Sequence, residues 1–430
     1  MRVSTDLIDL EYITTREELD ALLLELEGRP LLAMDYETYA DVETWGPQAS
    51  ALDPHTLVAR LLQINWPGNA IPYVIDLRAL DWPTEIRDIW LDSSVRKVCF
   101  NARFEALVTQ ATWGVWPDNL YCAMVLFQQI GAATGFKAGR TRGYSYGSLV
   151  RDILDTPLNK ELASSDWSGE LTPAQLQYAA LDVGAPRNSN YTSLLLEAYA
   201  LLRNELLYTY EMPQVEEIDQ AAFMEIARME WNGLPINMNV MGSFLSTAQS
   251  ELDNYKLRMS AHFDFSVDQV VDWNSGAPQV TLVVPDKITA LLNNPTALVS
   301  RIQEFLPVKL DNLQQKTLET VLRELDSEDG EDGEDSGDGA TSEEGIRDLG
   351  IQVISDLLQY KKLTKMVSTN WAALINPRTG NVHARYQTIG TSTGRMSSSS
   401  SGDTNKFNAQ QISNVELMVD IEEDRLFEDN

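Results

Sequence analysis

Basic residues are scarce in this chain. It has 33 lysines and arginines against 64 acidic residues, which gives a formal net charge of -31 over 430 residues. A surface with this charge balance excludes a general electrostatic attraction to a phosphate backbone. Any contact with nucleic acid must therefore depend on local basic patches or on a more basic partner.

Cysteine and long apolar runs are scarce as well. The two cysteines, Cys99 and Cys122, have no spacing typical of a metal site. No apolar run approaches the roughly eighteen residues that a membrane span needs, and early acidic residues exclude the apolar core of a signal peptide. The sequence therefore predicts a cytoplasmic protein with reduced thiols and no membrane partner.

Part of the negative charge is concentrated in two stretches. Residues 326–344 contain ten acids and no base, with glycine and serine between them. Such a segment cannot bury enough apolar surface to fold, so a disordered acidic loop is predicted over residues 326–345. Residues 415–430 hold seven acids and one base, and we predict that they form an acidic tail.

Two carboxylates at the end of an apolar run mark the first candidate site. Residues 31–38 read Leu-Leu-Ala-Met-Asp-Tyr-Glu-Thr, so Asp35 and Glu37 close a predicted buried strand. Residues i and i+2 of a strand lie on one face, and two acids held so close need a compensating cation. A strand end that is merely acidic, without a function, is the alternative interpretation.

Two later stretches complete a pattern. They are Asn101-Ala-Arg-Phe104-Glu105 and Tyr178-Ala-Ala-Leu-Asp182. With the Asp-x-Glu-Thr stretch they resemble the three motifs of the DEDD 3′–5′ exonuclease superfamily, in the subgroup with a tyrosine in the third motif. Glu105 departs from the family pattern, which has aspartate at that position.

The resemblance implies a ribonuclease H-like α/β domain that hydrolyses phosphodiester bonds with two Mg²⁺ or Mn²⁺ ions. It also implies roles for acidic and phenolic side chains: Asp35, Glu37, Glu105 and Asp182 as metal ligands, and Tyr178 as the group that orients the attacking water. Thr38, Asn101 and Phe104 would position the terminal nucleotide. Glu105 is longer than aspartate by a methylene, and a misplacement of about 1 Å can lower a rate about a hundredfold.

From about residue 204 the sequence resembles the start of the polymerase region of family A DNA polymerases. The most specific part lies in residues 350–413, with Thr391-Ser-Thr-Gly-Arg-Met-Ser-Ser398 and Asn408-Ala-Gln-Gln-Ile412. In that family the corresponding block joins thumb to palm and grips the primer–template duplex. The candidate DNA contacts are basic or amide side chains: Lys361, Lys365, Arg385, Arg395 and Gln410. A solvated basic face is the alternative.

The resemblances predict an order of domains. An exonuclease domain over residues 1–203 precedes a mainly α-helical thumb with connecting helices over 204–375 and a partial palm over 376–414. The palm carboxylates and the fingers helix of family A enzymes do not occur in the sequence, so this chain alone is not expected to add nucleotides.

The leading hypothesis is the N-terminal subunit of a split, phage-type family A polymerase. It would supply proofreading and bind primer–template DNA and a single-stranded 3′ end, while a second chain carries the fingers and catalytic palm. A stand-alone 3′–5′ exonuclease and a non-catalytic DNA-binding subunit are the alternatives.

Overall fold

The computed structural model describes residues 1–134, 144–158, 165–272, 279–327, 343–376, 378–390 and 395–399. These residues fall into two compact units. The first contains Met1–Pro235 and the described residues from Leu374 onward, and the second lies within Ile236–Ala373. Gln410, the predicted acidic tail and most of the predicted acidic loop lie outside the described residues.

A mixed seven-stranded sheet forms the centre of the first unit. Its strands are β1 (Arg2–Ser4), β2 (Asp9–Ile13), β3 (Leu31–Ala40), β4 (Leu57–Asn65), β5 (Tyr73–Asp76), β6 (Arg96–Cys99) and β7 (Leu120–Cys122). Their order across the sheet is β1-β2-β5-β4-β3-β6-β7. Strand β3 pairs antiparallel with β4 and parallel with β6, so the strand that carries the first motif is held on both sides.

Helices cover this sheet. They are α1 (Arg16–Leu26), α2 (Val42–Trp45), α3 (Thr84–Leu91), α4 (Ala102–Trp113), α5 (Ala123–Thr134), α6 (Tyr146–Leu154), α7 (Pro173–Val183), α8 (Leu194–Asn204) and α9 (Pro213–Asn232), which is followed by the short strand β8 (Leu234–Pro235). One buried cluster contains Trp90 and another contains Phe127. Helix α1 begins with the capping box of Thr15 and Glu18, as the Thr-x-x-Glu spacing predicts.

The second unit is mainly helical. It contains α10 (Met238–His262), the antiparallel strands β9 (Asp268–Asp272) and β10 (Gln279–Val283), and α11 (Asp286–Leu292), α12 (Pro295–Gln303), α13 (Gln315–Ser327) and α14 (Glu343–Ser368). Its core packs apolar residues of the long helices, such as Leu252, Leu318 and Leu357. The predicted acidic loop covers residues 326–345. Its first residues, up to Ser327, belong to α13, and its last residues, from Glu343, belong to α14.

A short return segment, residues 374–376 and 378–390, belongs to the first unit although it follows the helical unit in sequence. Its strand β11 (Asn381–Val382) pairs antiparallel with β8. Strand β12 (Arg385–Gln387) pairs antiparallel with β13 (Ser397–Ser399). Residues far apart in sequence therefore meet in one unit with the three candidate motifs.

The α/β sheet domain followed by a mainly helical region confirms the predicted fold class. The compact units divide after Pro235 and after Ala373, whereas the names thumb and palm and the boundaries at residues 203 and 375 stay predictions. Among the helices that the structure describes, none is both long and apolar enough to cross a membrane.

Candidate active site

Three carboxylates meet beside β3. Ligand oxygens of Asp35, Glu37 and Asp182 all lie within 4.8 Å of one another. Asp35 and Glu37 flank Tyr36, whose ring is buried in the core and stacks on Trp90 with 5.4 Å between ring centroids. Because side chains alternate along a strand, this buried ring turns both carboxylates toward the opposite face.

The pairing of β3 with β4 is irregular directly after the two acids. The register shifts between Glu37 and Thr38, and such irregularities re-aim side chains beside active sites. The Thr38 hydroxyl donates to the carbonyl of Ala51 at 2.6 Å, and Thr38 is not among the described residues that line the pocket. Its predicted contact with the terminal nucleotide stays a prediction.

Helix α7 brings Asp182 and Tyr178 to the same face, because residues i and i+4 are neighbours on a helix surface. The helix starts at Pro173 after a capping box at Thr172, and the Tyr178 ring lies 6.1 Å from that of Trp167. Burial raises the pKa of Tyr178, and the three nearby carboxylates raise it further. The phenol therefore keeps its proton at neutral pH and is able to donate a hydrogen bond.

Glu105 completes the set from the first turn of α4. Only 2% of this residue is exposed. Burial raises the pKa of Glu105 to about 8, against hydrogen bonds from its own backbone and from Asp35, while the charge of Asp182 adds to the increase. Among the described residues, Glu105 Oε2 and Asn101 Oδ1 are buried atoms without a hydrogen-bond partner.

The four acids line one pocket with a volume of about 600 Å³. Asn101, Phe104 and Tyr178 also line it. The roles predicted for them, positioning of the terminal nucleotide for Asn101 and Phe104 and orientation of the attacking water for Tyr178, stay predictions. A further wall comes from α6 and its N-cap: Ser145, Tyr146, Gly147, Ser148 and Arg151. Sequence reasoning missed this wall, since no motif spacing links α6 to the acids.

The predicted DNA contacts in the second half are divided between the two units. Lys361 and Lys365 lie on α14, whereas Arg385 and Arg395 belong to the first unit, and Gln410 is outside the described residues. Lys361 donates to the carbonyl of Leu313, and burial lowers its pKa. Lys365 and Arg395 are exposed. The contact of these residues with DNA stays a prediction.

The donor set fits hard divalent cations. Carboxylate oxygens are the ligands that Mg²⁺ and Mn²⁺ prefer, and a cation would supply the partner that the buried Glu105 Oε2 lacks among the described residues. Asp35, Glu37 and Asp182 would hold one ion, and Glu105 with Asp35 would hold a second. Bound there, the ions would supply an activated water and a counter-charge for the leaving oxygen.

Comparison with known families decides the class of enzyme. Residues 10–187 match the family model described as 3'-5' exonuclease. These residues form a 3′-5′ exonuclease domain. The matched range includes all four acids and Tyr178. Together with the acidic cluster, the match confirms the predicted metal-dependent exonuclease and its ribonuclease H-like α/β fold.

Relatives among curated proteins extend the similarity beyond this domain. The DNA polymerase I of Aquifex aeolicus (strain VF5) is 24% identical over 402 residues, which cover 91% of this chain and 57% of that polymerase. The DNA polymerase I of Chloroflexus aurantiacus is 47% identical over 49 residues, which cover 11% of this chain and 5% of that polymerase. The chain thus spans less than two thirds of the length of the curated relatives it matches.

Solved structures give weaker likenesses. Brucella melitensis NrnC bound to pGG has a TM-score of 0.37 and 24% identity, over 48% of this chain and 89% of that chain. Escherichia coli RNase D has a TM-score of 0.39 and 16% identity, over 82% of this chain and 75% of that chain. With TM-scores below 0.5, neither likeness bears on function.

Proposed function

We propose that this protein removes nucleotides from the 3′ ends of DNA as the proofreading nuclease of a family A DNA polymerase. The observation that carries the proposal is the extent of the similarity to the Aquifex polymerase. It covers 91% of this chain, whereas the exonuclease match ends at residue 187. A nuclease that acts alone would not require the second, polymerase-like half.

The pocket suits a terminal nucleotide of a single strand. Phe104 and Tyr146 would offer aromatic surfaces to the base and sugar, since base–aromatic stacking is worth about 1–3 kcal/mol. The amide of Asn101 has a buried oxygen without a partner among the described residues, which would accept a hydrogen bond from the nucleotide. Arg151 is the one basic side chain among the described lining residues, and it would face the phosphate.

Each catalytic side chain would have a distinct task. Asp35, Glu37, Glu105 and Asp182 would hold the ions. Tyr178 would donate a hydrogen bond that orients the attacking water. Because its raised pKa keeps the phenol protonated, Tyr178 would act by orientation and would not serve as the base.

In this proposal nucleotide addition belongs to a second chain. Lys361, Lys365, Arg385, Arg395 and Gln410 would contact the primer–template duplex. The proposed setting is a phage-encoded replication system in the cytoplasm of its host.

The proofreading role is tested with 5′-labelled primer–templates that differ only at the 3′ end of the primer. We expect faster removal of a mismatched than of a paired terminal nucleotide, and faster removal from a DNA than from an RNA primer of the same sequence. Equal rates for mismatched and paired ends would contradict proofreading, and a preference for RNA would contradict the substrate.

The partner is tested by purifying the tagged full chain from its native source and assaying primer extension. We expect a co-purifying chain and nucleotide incorporation that needs both chains. A chain that purifies alone, degrades DNA and never supports extension would instead be a stand-alone exonuclease.

A further inference from the structure

We propose that nuclease activity requires the return segment. This segment positions α4, the helix that carries Glu105, through hydrogen bonds with Arg103 and Glu230. This inference rests on the proposed function of the site. It assigns a positioning role to Arg103 and Glu230. It also makes exonuclease activity depend on Tyr386, which lies 283 positions after Arg103.

Arg103 and Glu105 face opposite sides of α4. Successive helix residues are about 100° apart, so two positions differ by about 200°. Glu105 accordingly lines the pocket of the carboxylates, while Arg103 lines a separate pocket of about 230 Å³. Asn101 and Phe104 line both pockets. Arg103 therefore makes its contacts on the side of α4 that faces away from Glu105.

The side chain of Arg103 joins three elements. Its Nη1 donates to Oε1 of Glu230 on α9 at 2.6 Å and also to the carbonyl of Tyr386 on β12. The same Glu230 oxygen accepts from the backbone N–H of Tyr386. The side chains of Arg103 and Glu230 are only 19% and 6% exposed, so these charge-assisted bonds are shielded from water and are of the strong kind.

The return segment also contacts the loop that follows the first motif. Asn376 donates to Asp53 Oδ2 at 2.9 Å, and Arg378 donates to the carbonyl of His55 at 2.5 Å. Arg385 donates to the carbonyl of Leu52 at 3.0 Å. This loop begins beside Ala51, which accepts the Thr38 hydroxyl. One segment is thus bonded to both the β3 side and the α4 side of the site.

Apolar packing holds α4 as well, but it lacks the direction that these hydrogen bonds give. Ala102 and Val108 of α4 belong to the large core cluster that contains Trp90, and Ala106 and Leu107 meet Ala227 of α9. Apolar contact is not directional, so it permits small slides and rotations that directed hydrogen bonds resist. Because the Glu105 carboxylate moves with the helix, a slide of about 1 Å is enough to lower the rate about a hundredfold.

The test uses the full chain with Arg103→Met, Arg103→Lys and a matched control, Arg228→Met. Arg228 forms a 2.8 Å ion pair with Glu225 on α9, but the two side chains are 46% and 67% exposed. Two readouts are measured: kcat and KM for hydrolysis of a single-stranded oligodeoxynucleotide, and Mn²⁺ affinity by calorimetry without DNA. We expect Arg103→Met to lower kcat at least tenfold, change KM less than threefold and weaken Mn²⁺ binding. Arg103→Lys should restore part of the loss, and Arg228→Met should match the wild type.

Arg103→Met leaves the buried Glu230 carboxylate without its cationic partner, which lowers the stability of the folded chain. A double variant that adds Glu230→Gln separates this loss of stability from a loss of activity. Glutamine keeps an oxygen that accepts from Tyr386 N–H and removes the unpaired charge. We expect the double variant to recover thermal stability but not kcat. Wild-type kcat and Mn²⁺ affinity in either folded Arg103→Met variant would overturn the inference. A wild-type chain without any nuclease activity would overturn the proposed function instead, and the Mn²⁺ titrations would still decide the positioning role.

Discussion

Glu105 occupies the position at which the exonuclease motif has aspartate. Its carboxylate extends from α4 toward the other three acids, while the opposite face of α4 packs against α9. The residue is almost fully buried, and burial holds its pKa near 8. Asp35, with which it shares a hydrogen bond, is fixed by a central strand. The longer side chain thus places its carboxylate within hydrogen-bonding distance of Asp35.

Restoring the family residue with Glu105→Asp is expected to lower the rate of 3′ cleavage about tenfold or more. Shortening the side chain withdraws the carboxylate, and α4 cannot follow because α9 and the return segment hold it. The loss follows from the sensitivity of rates to misplacement. Single-turnover cleavage of a labelled oligonucleotide measures it, with Glu105→Gln as the charge-free control. A rate above that of the wild type would show that α4 is free to move.

Lys97 is a second buried charge, away from the pocket. It lies on β6 between β3 and β7 with no exposed surface, and its Nζ donates to the carbonyl of Asp92 at 2.7 Å. Burial lowers the pKa of Lys97 to about 8. The folded state therefore disfavours the charged lysine. In the unfolded chain, the same side chain stays charged up to its ordinary pKa of about 10.4.

We expect Lys97→Met to stabilise the first unit by about 2 kcal/mol at pH 7. The penalty of the charged lysine amounts to about 3 kcal/mol at 1.36 kcal/mol per pKa unit, less the hydrogen bond that is lost. It is fully present below pH 8 and disappears as the pH rises toward 10.4, so the advantage of the variant should shrink over that range. Urea unfolding at pH 7 and pH 10 measures both values. An advantage that does not change with pH would contradict the argument.

At the scale of elements, the return segment is fastened by a buried pair of histidines. The rings of His55 and His383 lie 4.3 Å apart, and both residues are nearly inaccessible to solvent. His383 Nδ1 bonds the carbonyl of Glu230 at 2.6 Å, and His55 Nε2 bonds that of Trp231 at 3.1 Å. Burial, reinforced by His383, lowers the pKa of His55 to about 4.

Acid should therefore release the return segment before it unfolds the sheet. The folded-state pKa of His55 lies below the value of about 6.5 in an unfolded chain, so this contribution is intact above pH 6.5 and is lost as the pH falls toward 4. The loss amounts to about 2 kcal/mol at pH 5. Hydrogen exchange, corrected for intrinsic rates, should show faster exchange in residues 378–387 at pH 5 than at pH 7, with β3 and β4 unchanged as internal controls.

The variant His55→Phe keeps an aromatic ring and removes the titration. We expect its residues 378–387 to exchange at rates that differ little between pH 5 and pH 7. A pH dependence equal to that of the wild type would contradict the role of the histidine pair.

Sequence patterns anticipate local elements better than they anticipate distant contacts. The capping box of α1 and the apolar run of β3 are set by neighbouring residues, so α1 and the Asp35–Glu37 pair could be predicted. The bond between Arg103 and Glu230 joins positions 127 residues apart, and no periodicity or motif reports it. The sequence also does not report the irregular pairing after Glu37 or the bond from the Thr38 hydroxyl to the carbonyl of Ala51.

At the scale of the whole molecule, the net charge of -31 is the dominant feature. Like charges at this density destabilise a compact state through self-repulsion. Salt shortens the screening length from about 30 Å at 0.01 M to about 3 Å at 1 M. The acidic surface should therefore be better tolerated in concentrated salt.

We expect the thermal midpoint to rise by several degrees between 0.05 M and 1 M KCl. A change of about 1 kcal/mol in a large domain shifts the midpoint by about 2–4 °C, and screening of so large a charge excess is expected to exceed that value. Differential scanning calorimetry in KCl measures the shift, with sucrose as an uncharged control. A midpoint that falls or stays constant in KCl would show that self-repulsion is unimportant.

The acids that meet beside β3 should remove 3′-terminal nucleotides when this chain acts by itself. To measure this, the purified full chain is incubated with a 5′-labelled single-stranded oligodeoxynucleotide and Mg²⁺ or Mn²⁺. The wild type is compared with Asp35→Asn and with the control Asp88→Asn. The side chain of Asp88 lies on α3 and is 63% exposed. We expect stepwise shortening from the 3′ end by the wild type and by Asp88→Asn, and a rate at least a hundredfold lower for Asp35→Asn. Shortening that survives in Asp35→Asn, or no shortening by the wild type with either metal, would contradict this expectation.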